Sequence, residues 1–411
     1  MQKEKAKIVI VGAGYGGMIT TKQLEKILRP DEAEVTLINK HNYHYITTQL
    51  HKTSAGTAPD NKVALDIPDL LEGDKTRFIK GTVYDIDFAK KKVYYEHGSL
   101  DYDYLVIAPG FDVNTFGTPG VEEHAFKIRS FRSSKAIYHH IVHQFETFKE
   151  DGDLSRLTFA VAGAGFTGIE MIGELTDIIP KLCRRYDVPL HKTRIINIEA
   201  SDAILPFFDK KAIDFTEKYL KQHNVEVMTS TKIVECRKDS VVLDNGYSIP
   251  CRTLIWSCGV RANRLLEKLD LPLVRGKVEV DEFLRVKGTD HVFCIGDAAY
   301  CLDWDGKPLA ATAQVAIQQA QTCAPNIAAA LRGKPLKPFV YKHKGTVASI
   351  GSRAGVGNVF GLKITGLTAA FMKHIVEARY LFILGGPFFM AKQLMRPAGS
   401  IFMKTASSRN K

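Results

Sequence analysis

Twice in 411 residues the chain runs from an apolar, strand-like stretch into a glycine turn, then a helical pattern, then a second strand. In the first copy, Lys7–Val11 leads into Gly12-Ala13-Gly14-Tyr15-Gly16-Gly17, a helical run to about Leu28 and the strand Glu34–Asn39. In the second, Leu157–Ala162 leads into Gly163-Ala164-Gly165-Phe166-Thr167-Gly168, a helical run to about Ile179 and the strand Arg194–Glu199, with Leu182–Lys192 reading as an inserted loop. A single G-x-G-x-x-G says little. Two of them, each set between a strand and a helix, call for two parallel α/β units of the Rossmann type, each built to hold a dinucleotide. Gly12 and Gly163 suit the tight turn, and Gly14 and Gly165 leave the backbone bare for a pyrophosphate. Gly17 and Gly168 let the helix settle on its strand. The helix start then aims N–H groups and a positive dipole end at the phosphates.

The rest of the chain fits around these units. Lys91–Tyr95 and Asp103–Ala108 read as strands, the latter closing on Pro109-Gly110. Thr253–Trp256 ends at Cys258-Gly259, and His291–Ile295 ends at Gly296-Asp297, so each short buried strand opens onto glycine where α/β sheets bind ligands. Thr312–Ala330 is a helix. The expected division is a discontinuous first dinucleotide domain (1–115 and 276–335), a second (116–275) and a C-terminal segment (336–411). The seven cysteines are scattered without C-x-x-C spacing, which argues against a disulfide framework, a zinc site or any other metal centre, and for a reducing compartment. No signal sequence and no membrane-spanning run is legible.

The residue closing each second strand separates the two ligands. Glu199 suits the hydroxyls of a ribose and repels a 2′-phosphate, so the second unit should take NADH rather than NADPH. The first unit has Asn39 there, followed by Lys40, a departure from the acidic rule that still allows a ribose hydrogen bond.

Charge is concentrated at one end. From Leu331 onward there are 14 Lys and Arg against one acid, Glu377, a net of +13 that leaves −2 for the rest of the chain. Thr368–Leu384 places Phe371, Ile375, Ala378 and Phe382 at helical spacing, with Lys373 and Glu377 on another face. Gly385-Gly386-Pro387 should break the helix, and Phe388–Arg396 repeats the pattern with Lys392 and Arg396. Cations interleaved with aromatic and aliphatic residues suit the interface of an anionic membrane, or a dimer contact, better than a nucleic acid.

The two fingerprints, Tyr102–Gly110 and Phe293–Asp297 together resemble the two-dinucleotide-domain flavoproteins built like glutathione reductase. Gly163–Glu174, His41–Thr48, the Ala313–Gln318 stretch and the basic amphipathic tail more specifically resemble the type II NADH dehydrogenases, single-subunit NADH:quinone oxidoreductases that do not pump protons. The resemblance implies FAD on Gly12, Gly14, Tyr15, Gly16, Gly17, Asn39, Lys40, Thr47, Val83, Ala108, Gly110 and Asp297, with Ala313 and Gln314 against the flavin ring. It implies NADH on Gly163, Gly165, Phe166, Thr167, Gly168, Glu170 and Glu199, with Cys258-Gly259 closing over it. Cys258 stands where the family has a small residue, and Ala320 where it often has glycine. Glu170 would position NADH or handle charge, or serve only as an acid at a helix start. Gln314 and Gln318, one turn apart, would line a quinone tunnel or form an exposed amide stripe. Lys373 would sit near the quinone head group, or in solvent. A homodimer on the cytoplasmic face of the cell membrane, feeding electrons to quinone in the respiratory chain, completes the expectation. A sulfide:quinone reductase is the alternative, but it needs a redox cysteine pair.

Overall fold

A computed structural model describes residues 4–396. Each glycine-turn unit has become a five-stranded sheet. The first sheet has the order Val292–Cys294, Tyr104–Ile107, Ala6–Val11, Ala33–Asn39 and Thr76–Lys80. The second has Phe126–Lys127, Thr253–Trp256, Thr158–Ala162, Arg194–Ile198 and Val225–Met228. All neighbouring strands run parallel. In both sheets the fingerprint strand is central, with the next strand in sequence on one side and a much later one on the other. The strand order therefore reverses beside each glycine turn, which opens a crevice at the strands' carboxyl ends. Parallel sheets are covered on both faces, and Ile8–Val11 and Thr158–Ala162 are accordingly buried throughout.

The first fingerprint helix spans Tyr15–Ile27 and the second Phe166–Tyr186. The second corrects the expected loop at Leu182–Lys192. The helix passes through Pro180 and ends only at Tyr186, because Leu182 and Cys183 continue the buried face of Ile178 and Ile179. Core packing there outweighs the roughly 3 kcal/mol that proline costs a helix interior. A single 3₁₀ turn, Leu190–Lys192, is left of the loop.

The segment after residue 336 holds an element that the sequence did not announce, a three-stranded antiparallel sheet of Thr346–Ile350, Ala354–Val359 and Leu362–Thr365. It lies against the second fingerprint helix so closely that a Cβ on Gly173 would come 2.1 Å from the Gly351 nitrogen. The tail helix follows, Leu367–Met395, broken at Gly386 (φ 77°, ψ −175°) where the Gly-Gly-Pro run predicted a break. Its charged and apolar faces are not disposed as on an ordinary surface helix. Lys373, Tyr380, Leu381 and Leu384 are buried against the body, while Phe371 (66% exposed), Ile375, Val376, Phe382 and Phe388 (89%) face outward. No helix among the described residues is long and apolar enough to cross a membrane. Residues 397–411 of the expected membrane segment lie outside the described residues.

Candidate active site

The glycines do the work expected of them. A Cβ on Gly17 would stand 1.8 Å from the Gly12 carbonyl oxygen, and one on Gly168 would stand 2.0 Å from that of Gly163. Gly12 (φ 101°) and Gly163 (φ 94°) hold a backbone conformation that other residues resist. Around Gly14, Gly165 and Gly110 a Cβ would meet nothing within 4 Å. Bare backbone facing open space at a helix N-terminus is a phosphate cradle, so both turns fit a dinucleotide.

Asn39 and Glu199 play one local part. Asn39 Oδ1 accepts from the Ala13 N–H (3.1 Å), and Glu199 Oε2 accepts from the Ala164 N–H (2.5 Å) while its Oε1 takes the Ser201 N–H (2.8 Å). Each side chain ties the end of the second strand to its glycine turn, so either can pass from turn amide to ribose hydroxyl. Lys40 is exposed just beyond. Gly81, two residues before Val83, donates to the Asn39 carbonyl (2.9 Å), which places Val83 on the rim of the first unit.

Tyr15 commits its side chain to the interior. Its ring turns inward, edge-on to Tyr380 (centroids 4.6 Å), and its hydroxyl shares a hydrogen bond with Thr48 (3.0 Å), the neighbour of Thr47. Burial pushes its phenol up to about 12. What Tyr15 offers a ligand is thus its place at the helix start rather than its hydroxyl. His44 completes this corner: Nδ1 donates to the Ala13 carbonyl (2.8 Å), and Nε2 receives the Tyr380 hydroxyl (2.7 Å). Burial holds the imidazole near 4, hence neutral. Gly16 rests on the Ile295 side chain, and a Cβ on Gly12 would strike the Ala108 carbonyl at 2.3 Å. Asp297 sits in the short turn Gly296–Ala298, where burial raises its carboxyl against the pull of Lys277.

On the other unit, Phe166 and Thr167 open the helix, with Phe166 packed on Phe208 (5.4 Å). Cys258 borders the turn, its Sγ 3.1 Å from where a Gly163 Cβ would be. Burial, then the Glu199 charge, push its thiol to about 12, so it is protonated at neutral pH and no nucleophile. Gly259 takes φ 62° beside Phe116.

The most informative part is a buried cluster of charge. Glu170, on the second fingerprint helix, meets Lys373 from the tail helix at 2.6 Å, the two being 203 residues apart. The same oxygen, Oε1, accepts from the Ser349 N–H (3.1 Å) and hydroxyl (3.2 Å). Oε2 lies 3.4 Å from His51 Nδ1. Burial works to raise the Glu170 carboxyl, but Lys373, His51 and the Ser349 bonds outweigh it and leave it below its ordinary value. Burial works to lower Lys373, and Glu170 overrides it, so the pair is ionised. Glu174, one turn along, accepts from Thr57; burial, which Lys52 only partly offsets, raises it to about 7. Lys52 binds Glu377 (2.9 Å). Two residues singled out separately in the sequence are here direct partners. Ser349 and His51 were missed, because the sheet that presents Ser349 and the short helix Leu50–Ala55 that presents His51 leave no periodic trace.

Gln314 and Gln318 are more committed than expected. Gln314 donates to the Gly345 carbonyl (3.1 Å) and accepts from Tyr341 (3.2 Å) and the Lys344 N–H (2.7 Å). Gln318 makes paired bonds with the Lys342 backbone, 3.0 Å each way. Both amides clamp the irregular 341–345 segment onto the Ala313–Leu331 helix, which begins at Ala313 behind the cap of Thr312. They are not an exposed stripe. Nor are their amides free for a quinone without rearrangement.

Residues 6–320 match the family model described as pyridine nucleotide-disulphide oxidoreductase. The type II NADH:quinone oxidoreductases of Staphylococcus haemolyticus and Staphylococcus aureus are each 39% identical over 395 residues, spanning 94% of this chain and 98% of theirs. The chain belongs to the type II NADH:quinone oxidoreductases. Solved structures agree in fold. NDH2 from Plasmodium falciparum, in complex with NADH, superposes with a TM-score of 0.83 at 21% identity, covering 97% of this chain and 100% of that one. The sulfide:quinone oxidoreductase of Aquifex aeolicus gives 0.75 at 18%, covering 97% and 96%. As a type II NADH:quinone oxidoreductase, the chain uses FAD and NADH.

Proposed function

We propose that this chain oxidises NADH on the second unit and reduces a membrane quinone beside the first, without pumping protons. The observation that carries the reading is the Glu170–Lys373 pair, which joins the helix of the NADH unit to the outward-facing tail helix in one buried site. FAD, when bound, supplies the two-electron carrier between donor and quinone. Gly12, Gly14, Gly17, Asn39 and Gly110 would hold it, with Asp297 and the Ala313–Gln314 helix start behind. Gly163, Gly165, Gly168 and Glu199 would hold NADH, with Glu199 rejecting a 2′-phosphate. Glu170 and Lys373 offer an ionised, partly proton-bearing pair to the reacting quinone oxygen, while Gln314 and Gln318 brace one wall.

Phe371, Ile375, Phe382 and Phe388 form the membrane face, and Lys392, Arg396 and Arg379 supply its cations. The reading extends to the cytoplasmic leaflet of an anionic membrane and to a homodimer that contacts elsewhere. Flotation with anionic but not neutral liposomes, and light scattering in detergent, test these two parts. The catalytic core of the proposal is tested by absorbance. The flavin should bleach with NADH far better than with NADPH and recolour with a short-chain menaquinone analogue. A colourless protein that cannot be reconstituted with FAD overturns it.

A further inference from the structure

The loop that follows Glu199 is tied down at three points around the second glycine turn. At its start, Glu199 Oε1 accepts from the Ser201 N–H (2.8 Å), and the Ser201 carbonyl accepts from the Ser230 N–H (2.8 Å). In its middle, the Leu205 N–H donates to the Ala164 carbonyl (2.9 Å). At its end, Phe208 packs on Phe166, the first residue of the fingerprint helix (5.4 Å). The loop thus runs from the strand end that suits a ribose back to the turn that suits a pyrophosphate. It borders the adenosine half of the seat.

Two features of this loop are not explained by packing. Leu205 takes φ 47°, a left-handed conformation that a residue other than glycine adopts only at a cost. Phe207 is 83% exposed, although Ile204 and Leu205 before it are buried and Phe208 after it is half-buried. A single exposed apolar residue is ordinary on a surface. This one stands on a loop whose anchors include both the nucleotide turn and the helix that follows it, and Pro206 stiffens the backbone immediately before the ring. From Ala200 to Phe208 there is no Lys or Arg, so the loop offers nothing to a 2′-phosphate. What it offers is one flat apolar face.

We propose that Phe207 is an adenine clamp, its ring stacking on the purine of the dinucleotide whose ribose Glu199 holds. The inference rests on the proposed NADH seat of the second unit and deepens it. A purine offers a π-face whatever its edge groups, so an aromatic ring holds it by stacking without reading hydrogen bonds. The clamp grips the half of NADH that does not react. Its contribution is the same before and during hydride transfer, so it lowers the NADH concentration needed and leaves the chemical step alone.

The test uses the full-length, FAD-loaded protein and its Phe207→Ala, Phe207→Tyr and Gly165→Ala variants. Calorimetry with ADP-ribose, which carries the adenine and the pyrophosphate but no nicotinamide, reads the clamp without turnover. Phe207→Ala should weaken ADP-ribose binding about tenfold, and Phe207→Tyr should restore it. In anaerobic stopped-flow, Phe207→Ala should slow flavin bleaching by dilute NADH about tenfold and leave the rate at saturating NADH unchanged. Reduced nicotinamide mononucleotide, which lacks the adenosine, should bleach variant and wild type alike, whereas a distorted loop would slow both donors. A Phe207→Ala protein with wild-type ADP-ribose affinity, or one slowed equally with both donors, overturns the clamp. Gly165→Ala, whose Cβ would meet no protein atom within 4 Å, should fold and yet lose ADP-ribose, because its methyl stands where the pyrophosphate lies. A Gly165→Ala protein that binds ADP-ribose as the wild type does overturns the NADH seat itself, so the two failures are distinguishable.

Discussion

The two dinucleotide units have the same order of their four inner and following strands, the same glycine spacing and nearly the same clash distances, 1.8 Å at Gly17 and 2.0 Å at Gly168. They part in two respects. At the end of the second strand, the first unit has a neutral amide and the second a carboxylate. On the helix, the first unit's buried charges, Lys22 and Glu25, pair with each other (2.6 Å), whereas the second unit's buried Glu170 pairs with Lys373 of the tail helix, with Glu174 beside it. One architecture was thus used twice, with different side chains at the strand end and along the helix.

The most severe way to break the symmetry is at the close-approach glycines. Gly17→Ala should give a protein without bound flavin. Gly168→Ala should keep its yellow colour but lose bleaching by NADH by at least about a hundredfold, since neither turn can retreat from a Cβ at ~2 Å; absorbance spectra with and without NADH check both. Next comes the buried pair. Glu170→Gln leaves Lys373 as an unpaired interior charge and should cost about 3 to 5 kcal/mol by urea unfolding, much of it recovered in Glu170→Gln with Lys373→Met. The first helix has a buried pair of its own, Lys22–Glu25 (2.6 Å), but both partners lie on that one helix, whereas Glu170 and Lys373 join two.

A third effect depends on pH. The folded state holds Glu174 at about 7 against an ordinary 4.5, so it disfavours the charged form. Below the ordinary value both states are protonated and nothing is lost; as pH rises through the folded value the penalty grows to about 3 kcal/mol. Glu174→Gln should therefore be more stable than the wild type in alkaline urea titrations and indistinguishable in acid. The smallest effect belongs to the strand ends. Glu199→Gln should narrow the preference for NADH over NADPH about tenfold, near 1.4 kcal/mol, in bleaching titrations and leave flavin binding alone. Asn39→Asp should change neither preference.

Much of this could be read in advance where periodicity and spacing speak. The glycine turns, the strands around them and the break at Gly386 stand where the residues put them, because local backbone demands determine them. Lys373 was visible with Glu377 on the face opposite the apolar stripe, but not as Glu170's partner, since a contact across 203 residues leaves no local mark. The helix through Pro180 went unread for the opposite reason: proline is a strong local signal, and tertiary packing overruled it. Gln314 and Gln318 were legible as one face, while the irregular 341–345 segment they grip was not.

The tail helix is held by its charges and bares its grease. Lys373, Glu377 and Tyr380 reach inward to Glu170, Lys52 and His44, so the element with the exposed apolar face is also tied into the buried charged cluster. Trimming it to make the protein easier to handle in water would strip Glu170, Lys52 and His44 of their buried partners. Solubilisation by truncation and retention of turnover are therefore competing goals for this molecule, and a gentler route is to replace Phe371, Ile375 and Phe382 on the outer face while leaving the inner one alone.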